Sequence, residues 1–560
     1  MQDAFPPRPA APSKRFDVIV IGGGISGVAI ARSCAQGGKR TLLLEQTDFG
    51  AGTSSRSTRI IHGGLRYLEH GEIGLVRESL RERERLRVEQ PHLVRPMKFL
   101  LAFPQSPGTA LSLRNPIAIR MGLWLYKTMA GTQRDLKKIS KKTLEDAWPE
   151  WRIFDYDDAQ CEFPERLIAE WLTEAVTAGA VARNHTEVLE ITRREGKVTG
   201  VIERDRLTLE EFAVTSDHIV NATGPWADQV CAASNLGREA MVGGVRGSHI
   251  VLPRFTSAPQ AAIYTEAVDG RPFFIIPWNG QVLVGTTEVP DRGDPSQSQA
   301  SAEEVDYLFH SFAKVFPDSG LRHADINYFF SGVRPLPRSA RTELGAISRK
   351  YYLHDHKDDG ARGMISVIGG KLTTAAALGR HCARMLGAHA PEPRTVLVAH
   401  GPASGYEGTL AHWSKQVSDA TRNCRGVVKA ESARAIAEWH GRQALSIVRQ
   451  ACRHPLLAQT LCEHSPHLVG EAVHAVEVEH AATLGDILLR RVPVALGACW
   501  KRECGEQAAL HIGQALGWNA KQIARQLETF TEERRRFLQS PLELRGGNGA
   551  PARGYSKDVA

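Results

Sequence analysis

Residues 16–45 read FDVIVIGGGISGVAIARSCAQGGKRTLLLE. Phe16–Ile21 is a short β-branched apolar run, and the glycine cluster after it favours a buried parallel strand. Gly22-Gly23-Gly24-Ile25-Ser26-Gly27 fits G-x-G-x-x-G. The stretch from Val28 to Gln36 predicts a helix, and Thr41–Leu44 a second strand ending in Glu45. Strand, glycine turn, helix, strand and acid within about 30 residues form the pattern of a dinucleotide-binding unit. Gly22 permits the tight turn, Gly24 lets backbone N–H groups approach a pyrophosphate, and Gly27 lets helix and strand pack closely. The helix N-terminus favours the negative charge. Glu45 can accept both ribose hydroxyls and would repel a 2′-phosphate, which argues against NADP. The motif leaves NAD and FAD both open.

Downstream, residues 50–69 read GAGTSSRSTRIIHGGLRYLE. This is a small, polar, glycine-rich stretch with several hydroxyls and three arginines. Such side chains can pack against a flat cofactor and present cations to an anion. The stretch Thr53–Glu69 closely resembles the FAD-dependent glycerol-3-phosphate dehydrogenases of the D-amino-acid-oxidase-like flavoprotein superfamily. Further segments of the same resemblance follow in order: Asn221–Trp226 (NATGPW), Gly247–Val251 (GSHIV), Pro277-Trp278 and Gly285-Thr286-Thr287. Then come Ser331–Leu336 (SGVRPL) and Gly369–Thr374 (GGKLTT). The likeness is strong over residues 16–380 and weaker beyond, where Ala475–Arg491 resembles the family's helical domain.

The resemblance implies an α/β fold: a discontinuous Rossmann-like FAD-binding domain, an antiparallel β-sheet substrate (cap) domain and a C-terminal helical domain. The expected division is FAD-binding segments 15–100, 181–235 and 356–394, with a mixed cap and helical segment at 101–180. The cap proper spans 236–355 and the helical domain 395–545. Residues 1–14 and 546–560 are expected to be a disordered leader and tail. Residues 184–220 alternate apolar and polar positions around Gly196 and Gly200, as β-hairpins do. Segments such as FFIIPW and VLVGTT suit an antiparallel lid over a flavin. Ser432–Cys452 and Cys504–Arg535 carry helical periodicity with charged faces. The helical domain holds no recognisable catalytic motif and reads as a packing or partner-binding appendage.

Activity and site follow from the same resemblance. It implies oxidation of sn-glycerol 3-phosphate to dihydroxyacetone phosphate, by hydride transfer from C2 to N5 of FAD, with electrons passed to a quinone. Besides Gly22, Gly24, Gly27 and Glu45, the cofactor residues would be Thr53, Ser54, Ser55, Gly224, Gly370, Thr373 and Thr374. Arginine suits a phosphate because its planar fork gives bidentate, charge-assisted bonds. Arg66, Tyr67 and Arg349 are expected around the phosphate, with Thr287 assisting. Arg334 would bind the C2 oxygen, and Lys371 would serve the reduced flavin or the substrate. His62 is the expected base, since imidazole titrates near neutral pH. One departure is Glu288, where the family's pattern has Asp.

Composition sets the outer bounds. The chain has 560 residues, 42% hydrophobic and 24% charged, the balance of a soluble globular protein of about three domains. No apolar run approaches the roughly 20 residues that span a bilayer, and the first residues carry no apolar signal-peptide core. The net charge of +8 suits an anionic substrate, an anionic lipid surface or nucleic acid. Dispersed charge without an RNA-binding aromatic motif or zinc-finger spacing speaks against nucleic acid. Nine cysteines include no C-x-x-C pair, the closest being Cys499 and Cys504. Reduced thiols in a cytoplasmic compartment are therefore expected, with no metal site.

Residues 115–131 (NPIAIRMGLWLYKTMAG) carry Arg120, Trp124, Tyr126 and Lys127, and are followed by Lys137, Lys138, Lys141 and Lys142. Aromatic and basic residues on an amphipathic helix suit an anionic bilayer surface. The expected location is thus the cytoplasmic side, soluble or peripheral to the inner membrane. Residues 76–95 read instead as an exposed, salt-bridged helix. A homodimer is compatible with the resemblance. The competing readings keep the fold and change the chemistry: an oxidase that uses oxygen, or an amine oxidase. Such amine sites bind a carboxylate, and the several cations here favour phosphate.

Overall fold

The computed structural model describes residues 14–69, 71–104, 116–130, 151–236, 239–339, 347–390, 406–422 and 427–540. The tail from 546, Lys137, Lys138, Lys141, Lys142 and all of the leader but Lys14 lie outside these residues.

The strand Val18–Ile21 lies inside a six-stranded sheet ordered Tyr352–Asp355, Met364–Ile368, Ile219–Asn221, Val18–Ile21, Thr41–Leu44, Val181–Arg183. All neighbours run parallel except the outermost pair, a hairpin of Tyr352–Asp355 with Met364–Ile368. VIVI and TLLL are buried at every position, as strands covered on both faces must be. The helix Ile25–Gln36 starts directly after Gly24, three residues before the expected Val28, because the glycine turn itself serves as its N-cap.

Thr186–Arg194 and Lys197–Asp205 form the expected hairpin. Its two-residue turn, Glu195-Gly196, has φ +52° and +71°, the double left-handed geometry that matches strand twist. A third sheet of nine strands makes the cap, with Val242–Pro253 paired to both Gln281–Gly285 and Tyr328–Pro337. It is antiparallel except where Ala262–Glu266 runs parallel to Val94–Pro104. The boundary drawn at 100 therefore falls inside a cap strand. Tyr352–Asp355, assigned to the cap, instead belongs to the nucleotide sheet.

Helix Ile73–Glu89 differs from the solvated helix expected there. It keeps surface pairs such as Arg87–Glu84 at 2.9 Å, but its other face is buried. Arg83 donates to Asp158 at 2.6 Å and Arg380 to Glu82 at 2.6 Å, so two of its charges are spent inward.

The helical domain holds Tyr406–Arg422, Ala430–His440, Ala444–Arg453, Val469–Glu477, Arg502–Leu516 and Ala520–Phe537. The segment Cys504–Arg535 is two helices, broken at Gly517 in the left-handed conformation (φ +71°) and restarted by an Asn519–Gln522 capping box. Among the described residues seven cysteines are free, whereas Cys452 is disulfide-bonded, a departure from uniformly reduced thiols.

Two buried ionic networks fasten this domain to the nucleotide domain. Asp48 accepts from both Arg491 η-nitrogens at 2.7 and 2.8 Å, and also from Arg490. Arg490 in turn reaches Glu533 at 2.7 Å. Arg166 binds Glu479 through two bonds of 2.7 Å, and its neighbour His440 lies 2.9 Å from Glu471. The paired Arg490 is held charged, its pKa pushed further up by Glu533, Asp48 and Asp486 against the pull of burial.

Candidate active site

A cavity of about 1710 Å³ runs between the nucleotide sheet, the cap sheet and the helix Ala520–Phe537. Glu528, Glu532, Glu533, Arg535 and Phe537 form part of its wall. The helical domain is therefore not an appendage but a boundary of the site.

At the nucleotide end, Gly22 has φ +104°, and a Cβ there would stand 2.6 Å from the Ala222 carbonyl oxygen. A Cβ at Gly27 would sit 1.8 Å from the Gly22 oxygen, so Gly27 lies under the turn and serves packing, not the cavity wall. Gly22 and Gly24 line the cavity. The first helical N–H, of Ile25, donates to Ser54 Oγ at 3.0 Å. Glu45 accepts from Gly23 N at 2.7 Å and from Thr47 N and Oγ1 at 2.8 and 3.0 Å. A carboxylate offers about four acceptor sites, so capacity toward the cavity remains. Burial raises the Glu45 pKa, and those three bonds oppose the rise.

The hydroxyl run divides. Thr53 and Ser54 face the cavity, although Thr53 Oγ1 already donates to the Val333 carbonyl at 2.7 Å. Ser55 is buried and turned to the Gly50 carbonyl, away from the cavity. Thr373 faces the cavity and exchanges hydrogen bonds with the His62 backbone at 3.2 and 3.3 Å. Thr374 is buried at the head of the helix Ala375–Met385 and does not line it. Gly224 and Gly370 do.

At the other end the cavity gathers His62, Tyr67, Arg334, Arg349 and Lys371. The Arg66 side chain lies outside the described residues. Arg334 Nη2 donates to Thr286 Oγ1 at 2.9 Å, and Arg349 Nη2 to Glu288 Oε1 at 2.8 Å. Thr287 does not join them: it is buried, donates to Glu304 at 2.6 Å and accepts from Ser248 N at 2.9 Å. Consecutive residues leaving a strand point to opposite sides, and Thr286 takes the inward one.

Lys371 Nζ and Arg349 Nη1 are buried here without a hydrogen-bond partner among the described residues. Lys371 Nζ lies 4.3 Å over the Tyr67 ring. Burial depresses its pKa to about 7, partly opposed by Glu78, Asp158 and Glu72. Burial, with Lys371 and Arg83 adding repulsion, lowers His62 to about 3. Burial and then the neighbouring Arg349 bring Arg334 to about 10, still charged at neutral pH.

His249 was not singled out from its GSH segment. Its Nε2 lies 3.0 Å from Thr58 Oγ1, while Nδ1 is buried without a partner. It pairs in register with Gly285, where a Cβ would come within 2.2 Å of the ring. A histidine opposite a glycine across two strands was the available signal.

These features suit a long dinucleotide. The glycine turn, the helix N-terminus and Glu45 lie at one end, and unpartnered donors at the other. Residues 17–385 match the family of FAD dependent oxidoreductases, and 384–523 the C-terminal domain of alpha-glycerophosphate oxidase. A glycerol-3-phosphate dehydrogenase of Synechocystis sp. is 36% identical, covering 94% of this chain and 97% of that protein. An aerobic glycerol-3-phosphate dehydrogenase of Bacillus subtilis is 29% identical over 85% and 87%. Among solved structures, the glycerol-3-phosphate dehydrogenase from Bacillus halodurans complexed with FAD shares the fold. Its TM-score is 0.71 at 24% identity, over 94% of this chain and 95% of that one.

Proposed function

The chain belongs to the FAD-dependent oxidoreductase family, and from that premise we propose that it oxidises sn-glycerol 3-phosphate to dihydroxyacetone phosphate and passes the electrons to a quinone. The observation that carries the substrate is Lys371 Nζ, a buried amine without a hydrogen-bond partner among the described residues, together with Arg349 Nη1, the nitrogen that the Glu288 ion pair leaves unbonded. A buried amine left without an acceptor is costly until an anion arrives. A phosphate dianion supplies that anion, and the relatives' names point to the same substrate.

FAD supplies the hydride acceptor when bound. Gly22, Gly24, Ser54, Glu45, Gly224, Gly370 and Thr373 are the residues that would hold it. Arg349 and Lys371, with Tyr67 and Arg66, fix the phosphate, which fixes the reach of C2. Arg334 binds the C2 oxygen and stabilises the negative charge that grows there as the hydrogen leaves. His62 takes the proton from the C2 hydroxyl oxygen. Its ring makes no hydrogen bond to the described residues and is neutral at physiological pH, so a lone pair is available. Phosphate bound at Lys371 offsets the charge that depresses His62, so the imidazole gains basicity as substrate enters.

The helix Pro116–Ala130 supports a peripheral membrane location. Arg120, Met121, Trp124 and Lys127 share its outer face, with Met121 66% and Trp124 67% exposed. Among the described residues no helix is long and apolar enough to cross a membrane.

The test is the anaerobic visible spectrum of the FAD-loaded protein. Bleaching by sn-glycerol 3-phosphate is expected, followed by reoxidation with a soluble quinone analogue faster than with oxygen. A flavin that stays oxidised rejects the substrate, and faster reoxidation by oxygen rejects the acceptor.

A further inference from the structure

Outside the cavity lining, the helical domain brings Cys462, His464 and Cys504 together, with one ligand atom from each within 4.8 Å of the others. Both thiols are free and buried. His464 is 43% exposed, so the cluster has an entry side. The residues come from two segments. Cys462 and His464 sit in a turn closed by a bridge between Thr460 and Leu468. Cys504 sits in the first turn of the helix Arg502–Leu516. Two bonds hold the segments in place without help from the cluster: Glu463 N to Gln507 Oε1 at 3.3 Å, and His511 Nδ1 with the Thr460 carbonyl at 3.0 Å.

One edge of the cluster has the length found in a zinc tetrahedron. With Zn–S near 2.3 Å and Zn–N near 2.0 Å, the sulfur–nitrogen edge is roughly 3.5 Å. Cys504 Sγ lies 3.6 Å from His464 Nδ1. The other ring nitrogen, Nε2, is 3.5 Å from Glu463 Oε1, and a carboxylate on the far nitrogen is the usual partner of a metal-ligating histidine. The cluster holds three side-chain donors among the described residues, and the exposed side of His464 leaves room for a fourth, a water.

We propose that Cys462, His464 and Cys504 hold a zinc ion, with water in the fourth position. Thiolates with one imidazole select zinc among the common divalent ions. Each thiol gives up its proton on binding. The ion staples the turn to Arg502–Leu516, whose successor helix forms the cavity wall. The spacing C-x-H with a single cysteine far downstream hides the set from pattern matching, which is why no metal site was expected.

The experiment uses the FAD-loaded full chain, prepared under reductant without a polyhistidine tag. Elemental analysis is expected to give about one zinc per chain in the wild type. His464→Ala and Cys504→Ser should lose it. His464 is half exposed, so His464→Ala keeps the fold testable, and its FAD content should equal wild type. A strong chelator should lower the wild-type melting temperature and leave that of His464→Ala unchanged. Absence of metal after zinc-supplemented growth would overturn the proposal. So would zinc content unaffected by the variants, or a Cys462–Cys504 disulfide in a non-reducing peptide map.

Discussion

The Tyr126 hydroxyl donates to Asp158 Oδ2 at 2.7 Å and in the same position accepts the Gly63 N–H at 2.9 Å. Tyr126 is the inward residue of the helix whose outer face exposes Trp124, and Gly63 follows His62. One phenol thus joins a surface helix to the loop that carries the proposed base. Replacing it by Phe leaves a buried carboxylate oxygen short of a donor. Tyr126→Phe is expected to lose about 1–3 kcal/mol of stability and to lower kcat. Chemical denaturation reads the first, and equal stability would show the bond to be idle.

Lys371 gives a pH dependence of definite sign. Its amine is protonated below about pH 7 and neutral above. As a phosphate ligand it acts only when charged, so kcat/KM should fall as pH rises through that value. Lys371→Arg stays charged and should flatten the profile, while Lys371→Met should be poor throughout. A kcat/KM that rises through pH 7 in the wild type would make the neutral amine the active form and refute the clamp.

His62 should not titrate in the usual imidazole range, because its value is about 3 in the free protein. His62→Asn is expected to slow anaerobic flavin reduction by about 10²- to 10⁴-fold, the usual worth of a general base. A rate close to wild type would pass the role to another group, with His249 next in reach.

Loss of a single charge-assisted bond to the substrate costs about 1.5–3 kcal/mol. Arg349→Gln should therefore raise KM for sn-glycerol 3-phosphate by roughly 10- to 150-fold. Glu288 loses its partner in this variant, so Arg349→Gln/Glu288→Gln should recover stability without recovering KM. Recovery of both would show that the arginine only neutralises the glutamate.

Much of the nucleotide fold was legible because its signals are local. A β-branched run, three spaced glycines and an acid lie within residues 16–45, and each constrains its neighbours directly. Orientation within a run of like residues was not legible. Thr53, Ser54 and Ser55 offer the same chemistry, and only the turn Thr53–Arg56 decides that Ser55 faces Gly50. Thr286 and Thr287 differ for the same reason. The wall formed by Ala520–Phe537 was hidden differently. Its helix reads as an ordinary charged amphipathic segment, and nothing near Arg490 announces Asp48, 442 positions earlier.

That buried join should be expensive to break. Asp48→Asn leaves Arg490 and Arg491 under-compensated, and removing one partner of a buried pair costs about 3–5 kcal/mol. Thermal melts with and without added FAD should show a lower transition and weaker flavin retention. An unchanged melt would mean that the helical domain is held by its apolar contacts alone.

The outer face of Pro116–Ala130 is testable without touching the site. Met121→Ser/Trp124→Ser should abolish sedimentation with anionic phospholipid vesicles and leave turnover with a soluble acceptor unchanged. Sedimentation equal to wild type would remove this helix as the contact.

Gln539 exchanges backbone hydrogen bonds with Phe329 at 2.9 and 3.0 Å, and the Phe537 ring lies 4.9 Å from the Arg56 guanidinium. Ribosomes add about 5–20 residues per second, so Arg56 waits roughly tens of seconds for that ring. Through this interval the nascent cavity lacks one side. Shorter delays of the same kind separate Val18–Ile21 from its parallel neighbour Ile219–Asn221 and, at second remove, from Met364–Ile368. Completion of the cofactor chamber thus waits for the helix Ala520–Phe537, and a ribosome halted before residue 528 would leave a half-built vessel for chaperones to hold.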